Sequence, residues 1–418
     1  MVKVIFYASF IVCLLSAVAN LVFFLFFKRK SVSFKEAWLS FPAKYGITWY
    51  ARRPQAYYKK EVIKYMRIAY YLFYLTFIIT ASLFLITSVQ PVDSFEDNPF
   101  GVLAFLSWNH PWNNYMYKSD ADLDRAIELI KNLGVSIIRL DFAWNDIEKE
   151  RNELDFKRHD YIVKACAENN IQILGVLGYS PDWTKAQWNQ PPPDPELFIK
   201  FVEKTVKRYP QILYWEIWNE PDARTYWQPQ DDMKTYTKLL KPAYSAIKKV
   251  NPKSLVLLGG LTTEGFYAFK SVLRQGGGDC FDIMNFHAFV GPFRENALEE
   301  IGYKIKHIRN ELKKFNLNKK IWITEIGCPG TPQKTCSWWL GECPDEKQQA
   351  EFLEKIYEFL LSQENVEKIF WAFFQDTNDH FHSGVDKFGL IRLDYSKKPA
   401  YLTYKEIIQK WKNKSGLH

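Results

Sequence analysis

The most constraining feature of this sequence is a repeat beyond residue 100, where apolar stretches of strand length alternate with amphipathic helical stretches. Such alternation predicts βα units and a parallel sheet. Helical periodicity is clearest over residues 120–133, 195–209, 231–250 and 347–363. The strand-like stretches cover residues 101–107, 136–141, 172–177, 213–218, 255–259, 282–286, 321–324 and 368–374. Eight such units predict a (β/α)8 TIM barrel, an α/β fold, which we assign to residues 100–418.

A doubly wound open sheet is the competing α/β architecture, and it usually carries a Gly-rich phosphate-binding loop after its first strand. No such loop follows the first predicted strand, and residues 276–278, three glycines, precede a strand without the required spacing. This triplet is interpreted as a flexible turn. Because 47% of the residues are hydrophobic and 17% are aromatic, the chain can bury a large core, which excludes disorder as its main state.

The net charge of +8 is distributed very unevenly along the chain. Residues 28–67 hold eleven Lys or Arg against two acidic residues and carry +9, and Lys3 adds one more, which leaves −2 for residues 90–418. The barrel region is therefore close to neutral. It lacks the basic surface that nucleic-acid binding requires, so we do not expect nucleic acid as a partner.

Two long uncharged runs flank the basic segment. Residues 4–27 contain no charged side chain, and 24 residues at 1.5 Å rise can cross a hydrocarbon core of about 30 Å. A cleaved signal peptide is the alternative, but its apolar core is usually about 7–15 residues and ends at small residues. We predict a two-helix transmembrane hairpin, with a first helix in residues 1–30, a basic loop over residues 31–67, a second helix over residues 68–90 and a linker over residues 91–99.

The basic loop also predicts the orientation of this hairpin. Short loops rich in Lys and Arg stay on the cytoplasmic side, so residues 31–67 are expected in the cytoplasm with both chain ends outside. The expected location is therefore the cell membrane, as a multi-pass protein whose barrel domain is extracytoplasmic. The lipid bilayer is the expected partner of the hairpin, and its anionic head groups are the expected contacts of the loop.

Two glutamates lie at predicted strand ends, where catalytic groups of (β/α)8 barrels are found. The fourth strand runs into Trp218-Asn219-Glu220-Pro221, and the seventh into Thr324-Glu325-Ile326-Gly327. Either glutamate alone would ordinarily be a solvated loop residue. Two carboxylates facing each other in a cleft divide into a protonated acid and an ionised base, which glycosidic bond cleavage requires.

The two motifs resemble those of the clan A glycoside hydrolases. By this resemblance Glu220 is the acid/base, Glu325 is the nucleophile and Asn219 hydrogen-bonds the sugar 2-hydroxyl. It implies a retaining O-glycosidase that cleaves β-glycosidic bonds of a poly- or oligosaccharide by double displacement, with the carboxyl groups about 5 to 5.5 Å apart. No cofactor is expected.

Further positions match the same clan. Arg139 resembles the arginine of strand two that binds the nucleophile, although a structural salt bridge with Asp141 or another carboxylate is the alternative. His287 resembles the strand-six histidine of the clan, and a satisfied structural histidine is its alternative. The chain departs from the pattern at Phe289, where many members have a tyrosine that orients the nucleophile.

Tryptophans at strand ends are candidates for stacking on sugars. Trp371, at the end of strand eight, resembles the clan's sugar platform, and Trp183 is a second candidate for substrate binding; core packing is the alternative for both. The residues 177–183 around Trp183 resemble glycoside hydrolase family 39 more than the runner-up, family 5. Family 39 includes enzymes acting on xylosides, iduronides and bacterial exopolysaccharides, and the hairpin favours a surface or exported glycan.

Three cysteines, Cys328, Cys336 and Cys343, cluster after Glu325. An extracytoplasmic loop can hold a disulfide, so one disulfide among these three residues is expected, with one thiol left over. A zinc site is the alternative, but the loop has no His and its spacings of seven and six residues are unlike metal motifs, so no metal is expected.

Two other functions use the same residues. A non-catalytic glycan-binding receptor could be built on a glycosidase fold. The presence of both carboxylates argues against it, and Phe289 argues faintly for it. A transglycosylase would use the same two carboxylates, and no residue separates it from a hydrolase.

Overall fold

The computed structural model describes residues 98–331, 342–378, 381 and 384–416, together with Leu75. The chain divides into two units, Met1–Asp93 and Ser94–His418. The predicted hairpin, residues 1–30, 31–67 and 68–90, lies outside the described residues apart from Leu75, so it stays a prediction. Among the residues that are described, no helix has both the length and the apolar composition needed to cross a membrane.

Eight parallel strands close into a barrel in sequential order, which confirms the predicted (β/α)8 architecture. Each strand pairs with the next, and β1 closes the barrel by pairing with β8 through Phe100 and Ile369. The strands are β1 Phe100–Leu103, β2 Ile137–Ala143, β3 Gln172–Gly178, β4 Tyr214–Ile217, β5 Leu255–Leu257, β6 Ile283–His287, β7 Lys320–Ile326 and β8 Val366–Trp371.

Helices pack around the outside of the barrel. Within the described ranges they are α1 Asp120–Leu133, α2 Trp144–Ile147, α3 Lys157–Glu168, α4 Pro195–Arg208, α5 Lys234–Val250, α6 Phe266–Arg274, α7 Ala297–Lys314, α8 Glu346–Leu361 and α9 Pro399–Ser415. Their ends follow local sequence signals. Ser119 caps α1 by accepting from Asp122 N–H, and Gly134 ends the helix at φ 94°. Asp194 and Pro195 begin α4 in the same manner.

Large side chains fill the lower barrel. Phe370 and Trp322 are among them, and a Cβ on Gly101 of β1 would lie 2.6 Å from the Phe370 ring. Glycine at this point of β1 makes room for the aromatic ring. The inward-facing cluster consists of Ile137, Leu174, Tyr214, Leu257, Ile283, Trp322 and Phe370. With its lower half closed in this way, the barrel offers a cavity at the carboxyl ends of its strands.

Candidate active site

A cavity of about 1350 Å³ opens at the carboxyl ends of the strands. Every strand end contributes to its lining, from Leu103 after β1 to Phe373 after β8, and the two glutamates lie within it. The size suits several sugar units rather than a single small ligand, because drug-sized ligands occupy about 300 to 1,000 Å³.

Glu220 enters the cavity through an unusual turn after β4. Trp218 and Glu220 take left-handed backbone conformations, with φ 71° and 42°, which non-glycine residues seldom adopt. The turn is held at two points: the Trp218 indole donates to the Tyr226 carbonyl at 2.7 Å, and the Glu220 N–H donates to the Gly260 carbonyl at 3.0 Å. These bonds fix where the Glu220 carboxyl points.

Glu325 lies at the end of β7 and binds the guanidinium of Arg139. Arg139 Nη1 donates to Glu325 Oε1 at 2.6 Å, and Arg139 is 2% exposed. The same guanidinium contacts Glu216 through Nε and Nη2, and its Nη2 donates to Asn219 Oδ1 at 2.8 Å. Both interpretations of Arg139 describe part of this arrangement: its guanidinium forms a structural salt bridge with the buried Glu216, and it also pairs with the nucleophile candidate Glu325.

His287 lies between the two candidate catalytic carboxyls. Its Nδ1 is 2.7 Å from Glu220 Oε1, and its Nε2 is 3.5 Å from Glu325 Oε1. The imidazole is completely buried. One ring therefore connects both groups, and the structure brings together all five polar candidates from the sequence, Arg139, Asn219, Glu220, His287 and Glu325.

Burial and neighbouring charges give the two carboxyls different environments. Burial raises the pKa of Glu220 to about 8, the charge of Asp222 adds to this rise, and Arg139 opposes it. Burial also raises the pKa of Glu325, while His287 and Arg139 act against the rise. Burial lowers the pKa of His287, so the ring is neutral near pH 7. Glu220 is thus suited to carry a proton and Glu325 to lose one.

The sugar-platform prediction for Trp371 is wrong. Its indole is completely buried and donates to the Phe388 carbonyl at 3.0 Å. Side chains alternate along a strand, and Phe370 points into the barrel, so Trp371 points outward to Phe352 on α8. An outward indole cannot stack on a sugar in the cavity.

Trp183 also lies away from the cavity lining. Its Nε1 donates to the Glu148 carbonyl at 2.7 Å, and its ring packs edge-on against Trp144 at 5.5 Å between centroids. The core-packing alternative describes it better than the substrate-binding prediction. Its neighbour Asp182 lines the cavity instead.

Aromatic side chains from other loops form the walls of the cavity. Phe105 and Trp108 stack at 3.8 Å on one side, and Tyr179 and Trp188 pack at 5.6 Å on another. Phe105 lies inside the predicted strand 101–107 and Trp108 directly after it, and Tyr179 directly follows β3. Trp188 lies in an irregular loop, and loop conformation has no period that a sequence reveals.

Phe289 lines the cavity beside Phe388, with ring centroids 5.9 Å apart. The tyrosines that line the cavity in the described residues are Tyr179 and Tyr226. Burial raises the pKa of both, and the charge of Glu325 contributes to each rise. These phenols are therefore protonated at neutral pH.

The prediction for the cysteine cluster is one disulfide with one thiol left over, and the structure describes two of the three residues. Cys328 is a free, completely buried thiol, and burial raises its pKa well above the usual range. Cys343 is disulfide-bonded, and Cys336 lies outside the described residues. Cys328 lies two residues after β7, and its carbonyl accepts a hydrogen bond from Nε2 of Gln349 at 2.9 Å. In the described ranges no group of His, Cys, Asp and Glu could hold a metal ion.

A closed (β/α)8 barrel with two glutamates after β4 and β7, joined by an arginine and a histidine, defines a clan A glycoside hydrolase. The family model described as Cellulase (glycosyl hydrolase family 5) matches residues 95–376. The chain therefore belongs to glycosyl hydrolase family 5 and is a retaining glycosidase. The residues around Trp183 resemble family 39 more than family 5, whereas the family model that matches the chain is that of family 5.

Solved structures share the fold at low identity. A family 39 glycoside hydrolase from Bacteroides cellulosilyticus WH2 has a TM-score of 0.61 and 24% identity over 78% of this chain and 66% of that chain, just under two thirds of its length. GH5_18 from Streptomyces cattleya in complex with GlcNAc has a TM-score of 0.62 and 15% identity, over 76% of this chain and 81% of that chain. Xylanase 10B from Thermotoga maritima has a TM-score of 0.57 and 18% identity, over 77% of this chain and 98% of that chain. No curated protein matches the sequence.

Proposed function

We propose that Glu220 is the acid/base and Glu325 the nucleophile of a membrane-anchored enzyme that hydrolyses β-glycosidic bonds by double displacement. The observation that carries this proposal is that the two carboxyls lie at the two ring nitrogens of one buried imidazole, that of His287: Glu220 at Nδ1 and Glu325 at Nε2. Their different surroundings give the two carboxyls the different protonation states that the reaction needs.

In the first step Glu325 attacks the anomeric carbon as the bond to the leaving oxygen breaks. Glu220 gives its proton to that oxygen, so the leaving group departs as an alcohol and the sugar becomes covalently attached to Glu325. The hydrogen bond from Arg139 holds the attacking carboxylate in place and favours its ionised form. The pKa of Glu220, about 8, keeps its proton available at neutral pH.

In the second step Glu220, now ionised, takes a proton from water, and the resulting hydroxide oxygen attacks the anomeric carbon. The bond to Glu325 breaks, and the product keeps its original anomeric configuration. Asn219, whose Oδ1 is engaged by Arg139, has a fixed amide orientation, and its NH2 group is our candidate donor to the sugar 2-hydroxyl.

The substrate is proposed to be a β-linked poly- or oligosaccharide of a cell surface or an exported polymer. The cavity volume of about 1350 Å³ and its aromatic walls suit a chain of several sugars. The family model is described as a cellulase, and structures of similar fold include a xylanase and a complex with GlcNAc. These support a β-linked glycan without selecting the sugar.

We also propose that residues 1–90 anchor the enzyme in the cell membrane with the barrel on the extracytoplasmic side. The support is the uncharged runs 4–27 and 68–90 and the +9 charge of residues 28–67 between them. A membrane-tethered enzyme can act on glycans that emerge at the same surface. Cell fractionation and protease protection of intact cells test this placement: cleavage of the barrel domain from outside is expected, and complete protection would contradict it.

The catalytic proposal is tested by incubating the full-length protein in detergent with β-linked gluco-, xylo- and manno-oligosaccharides. Glu325→Gln is expected to lose turnover on every substrate that the wild type cleaves. Product formation at wild-type rates by both Glu325→Gln and Glu220→Gln would contradict the mechanism. Analysis of the products separates hydrolysis, which releases shorter chains only, from transglycosylation, which also produces longer ones.

A further inference from the structure

A third glutamate, Glu216, lies directly beneath the two catalytic candidates. It is on β4, four residues before Glu220, and it is completely buried. Its carboxylate accepts from Arg139 Nε and Nη2, each at 2.8 Å, and from the Gly260 N–H at 2.8 Å. A buried carboxylate with three donors is a fixed part of the site rather than a solvated group.

We propose that Glu216 is a positioning residue for the glycosidase reaction: it orients the guanidinium of Arg139 toward Glu325 and Asn219 and places a fixed negative charge behind both catalytic carboxyls. This inference rests on the roles proposed above for Glu220 and Glu325. Glu216 does not line the cavity, so it acts through Arg139 and through its charge.

The geometry of the guanidinium supports the orienting part. A planar fork held at Nε and Nη2 by one carboxylate can point Nη1 in only one direction. That direction is toward Glu325 Oε1, at 2.6 Å, and Nη2 still reaches Asn219 Oδ1 at 2.8 Å. Without Glu216, Arg139 would be free to rotate about its terminal bonds, and both contacts would lose their fixed geometry.

The backbone beside Glu216 is shaped for the same arrangement. A Cβ on Gly260, just after β5, would lie 2.3 Å from His287 Nε2 and 3.0 Å from Glu216 Oε1. Glycine is therefore required where the chain packs against both side chains. Its N–H then satisfies Glu216 Oε1, so this position supports the third glutamate and leaves space for the imidazole.

The charge of Glu216 acts on both catalytic groups. Burial raises the pKa of Glu220 most, and the charges of Asp222 and Glu216 raise it further, whereas Arg139 lowers it. Glu216 also contributes to the raised pKa of Glu325. The groups that face Glu220 from the surrounding elements are Arg139 of β2, Glu216 and Asp222 of β4 and its loop, Tyr226, His287 of β6 and Glu325 of β7.

The test compares Glu216→Gln with Glu311→Gln in the full-length protein. Glu311 on α7 is 2% exposed and ion-paired with Lys314 at 2.7 Å, so it matches the burial and charge change away from the cavity. The substrate is the unactivated β-linked gluco-, xylo- or manno-oligosaccharide that the wild type cleaves fastest, because cleavage of such a bond needs the proton of Glu220. The Glu216→Gln substitution replaces one acceptor oxygen with an NH2 group, which cannot accept a hydrogen bond from Arg139 or from the Gly260 N–H.

For Glu216→Gln we expect kcat to fall roughly 10- to 100-fold, because Arg139 loses its fixed orientation. In the plot of kcat/KM against pH, the alkaline limb should move roughly one pH unit lower, because the negative charge that raises the pKa of Glu220 is gone. Glu311→Gln should match the wild type in both. A folded Glu216→Gln protein with wild-type kcat and profile would overturn the proposal. A lower kcat with an unmoved limb would also contradict it, because a purely structural role predicts that result.

Glu216→Asp keeps the charge but withdraws the carboxylate by about 1.5 Å, one C–C bond. If Glu216→Gln does not fold, the Glu216→Asp variant tests the positioning role of Glu216 in its place. We expect a lower kcat with the alkaline limb at the wild-type pH, and wild-type kcat would overturn the proposal. Glu325→Gln, assayed in parallel, separates the two hypotheses: wild-type activity in that variant would refute the proposed function itself, whatever Glu216 does.

Discussion

His287 Nδ1 lies 2.7 Å from Oε1 of Glu220, inside a site where the imidazole has no exposed surface. Both partners are in environments that disfavour charge: burial raises the pKa of Glu220 to about 8 and lowers that of His287. Near pH 7 both groups are therefore neutral, so Glu220 keeps its own proton and a hydrogen bond joins it to the imidazole. This is the state in which Glu220 can serve as an acid.

The pH dependence of activity follows from this state. Because Glu220 must be protonated in the first step, kcat/KM should fall as the pH rises through about 8. The acidic limb should reflect ionisation of Glu325, whose pKa lies above the ordinary 4.5. Measurement of kcat/KM from pH 4 to 10 checks both limbs. An alkaline limb below pH 6 would contradict the assignment of Glu220.

Loss of the acid should depend on the leaving group. Glu220→Gln is expected to slow cleavage of an unactivated oligosaccharide roughly 10²- to 10⁴-fold, the usual contribution of general acid catalysis. A nitrophenyl leaving group needs no proton, so formation of the covalent intermediate from such a substrate should be much less affected. Equal losses of the pre-steady-state burst rate and of oligosaccharide cleavage would argue against an acid role.

The two classes of tryptophan should respond differently to truncation. Trp371→Ala removes a fully buried indole and should cost about 3–5 kcal/mol of unfolding free energy. Trp188 is 42% exposed and lines the cavity, so Trp188→Ala should leave stability nearly unchanged. Its KM should rise roughly fivefold, equivalent to about 1 kcal/mol for one aromatic contact. Thermal unfolding and steady-state kinetics separate the two, and the reverse pattern would contradict the placement of both residues.

The charge of the cavity should discriminate against acidic sugars. Apart from the catalytic pair, the charged lining groups in the described residues are Arg139, Arg294, Asp141, Asp146, Asp182, Glu264 and Glu300, and Arg294 pairs with Glu300 at 3.3 Å. Neutral oligosaccharides should show kcat/KM at least tenfold above uronate-bearing ones, and added salt should narrow the gap. A preference for the uronate substrate would refute this.

The fold was accessible from the sequence because its signals are periodic. Eight apolar stretches and the helical periodicity between them define the barrel, and strand ends such as Glu220 and Glu325 follow from that order. Trp371 shows the limit. A one-residue difference in register reverses which face a strand residue occupies, and an apolar run such as that of β8 has no polar alternation to set the register.

Features that depend on contacts between distant segments were not accessible in the same way. Glu216 lies on β4 four residues before Glu220, yet its three donors come from β2 and the loop after β5. The three cysteines after Glu325 do not show by their spacing which thiol is left over, and the structure shows that Cys328 is free and Cys343 is disulfide-bonded. Such outcomes depend on packing that one sequence does not display.

The central claim is that Glu325 forms a covalent bond to the sugar. It is tested most directly by incubating the full-length enzyme with a 2-deoxy-2-fluoro glycoside that carries a good leaving group, followed by peptic digestion and mass spectrometry. We predict a single fluoroglycosyl adduct on Glu325, which is absent from Glu325→Gln. Attachment to Glu220 or another residue, or turnover with inverted anomeric configuration and no adduct, would contradict it.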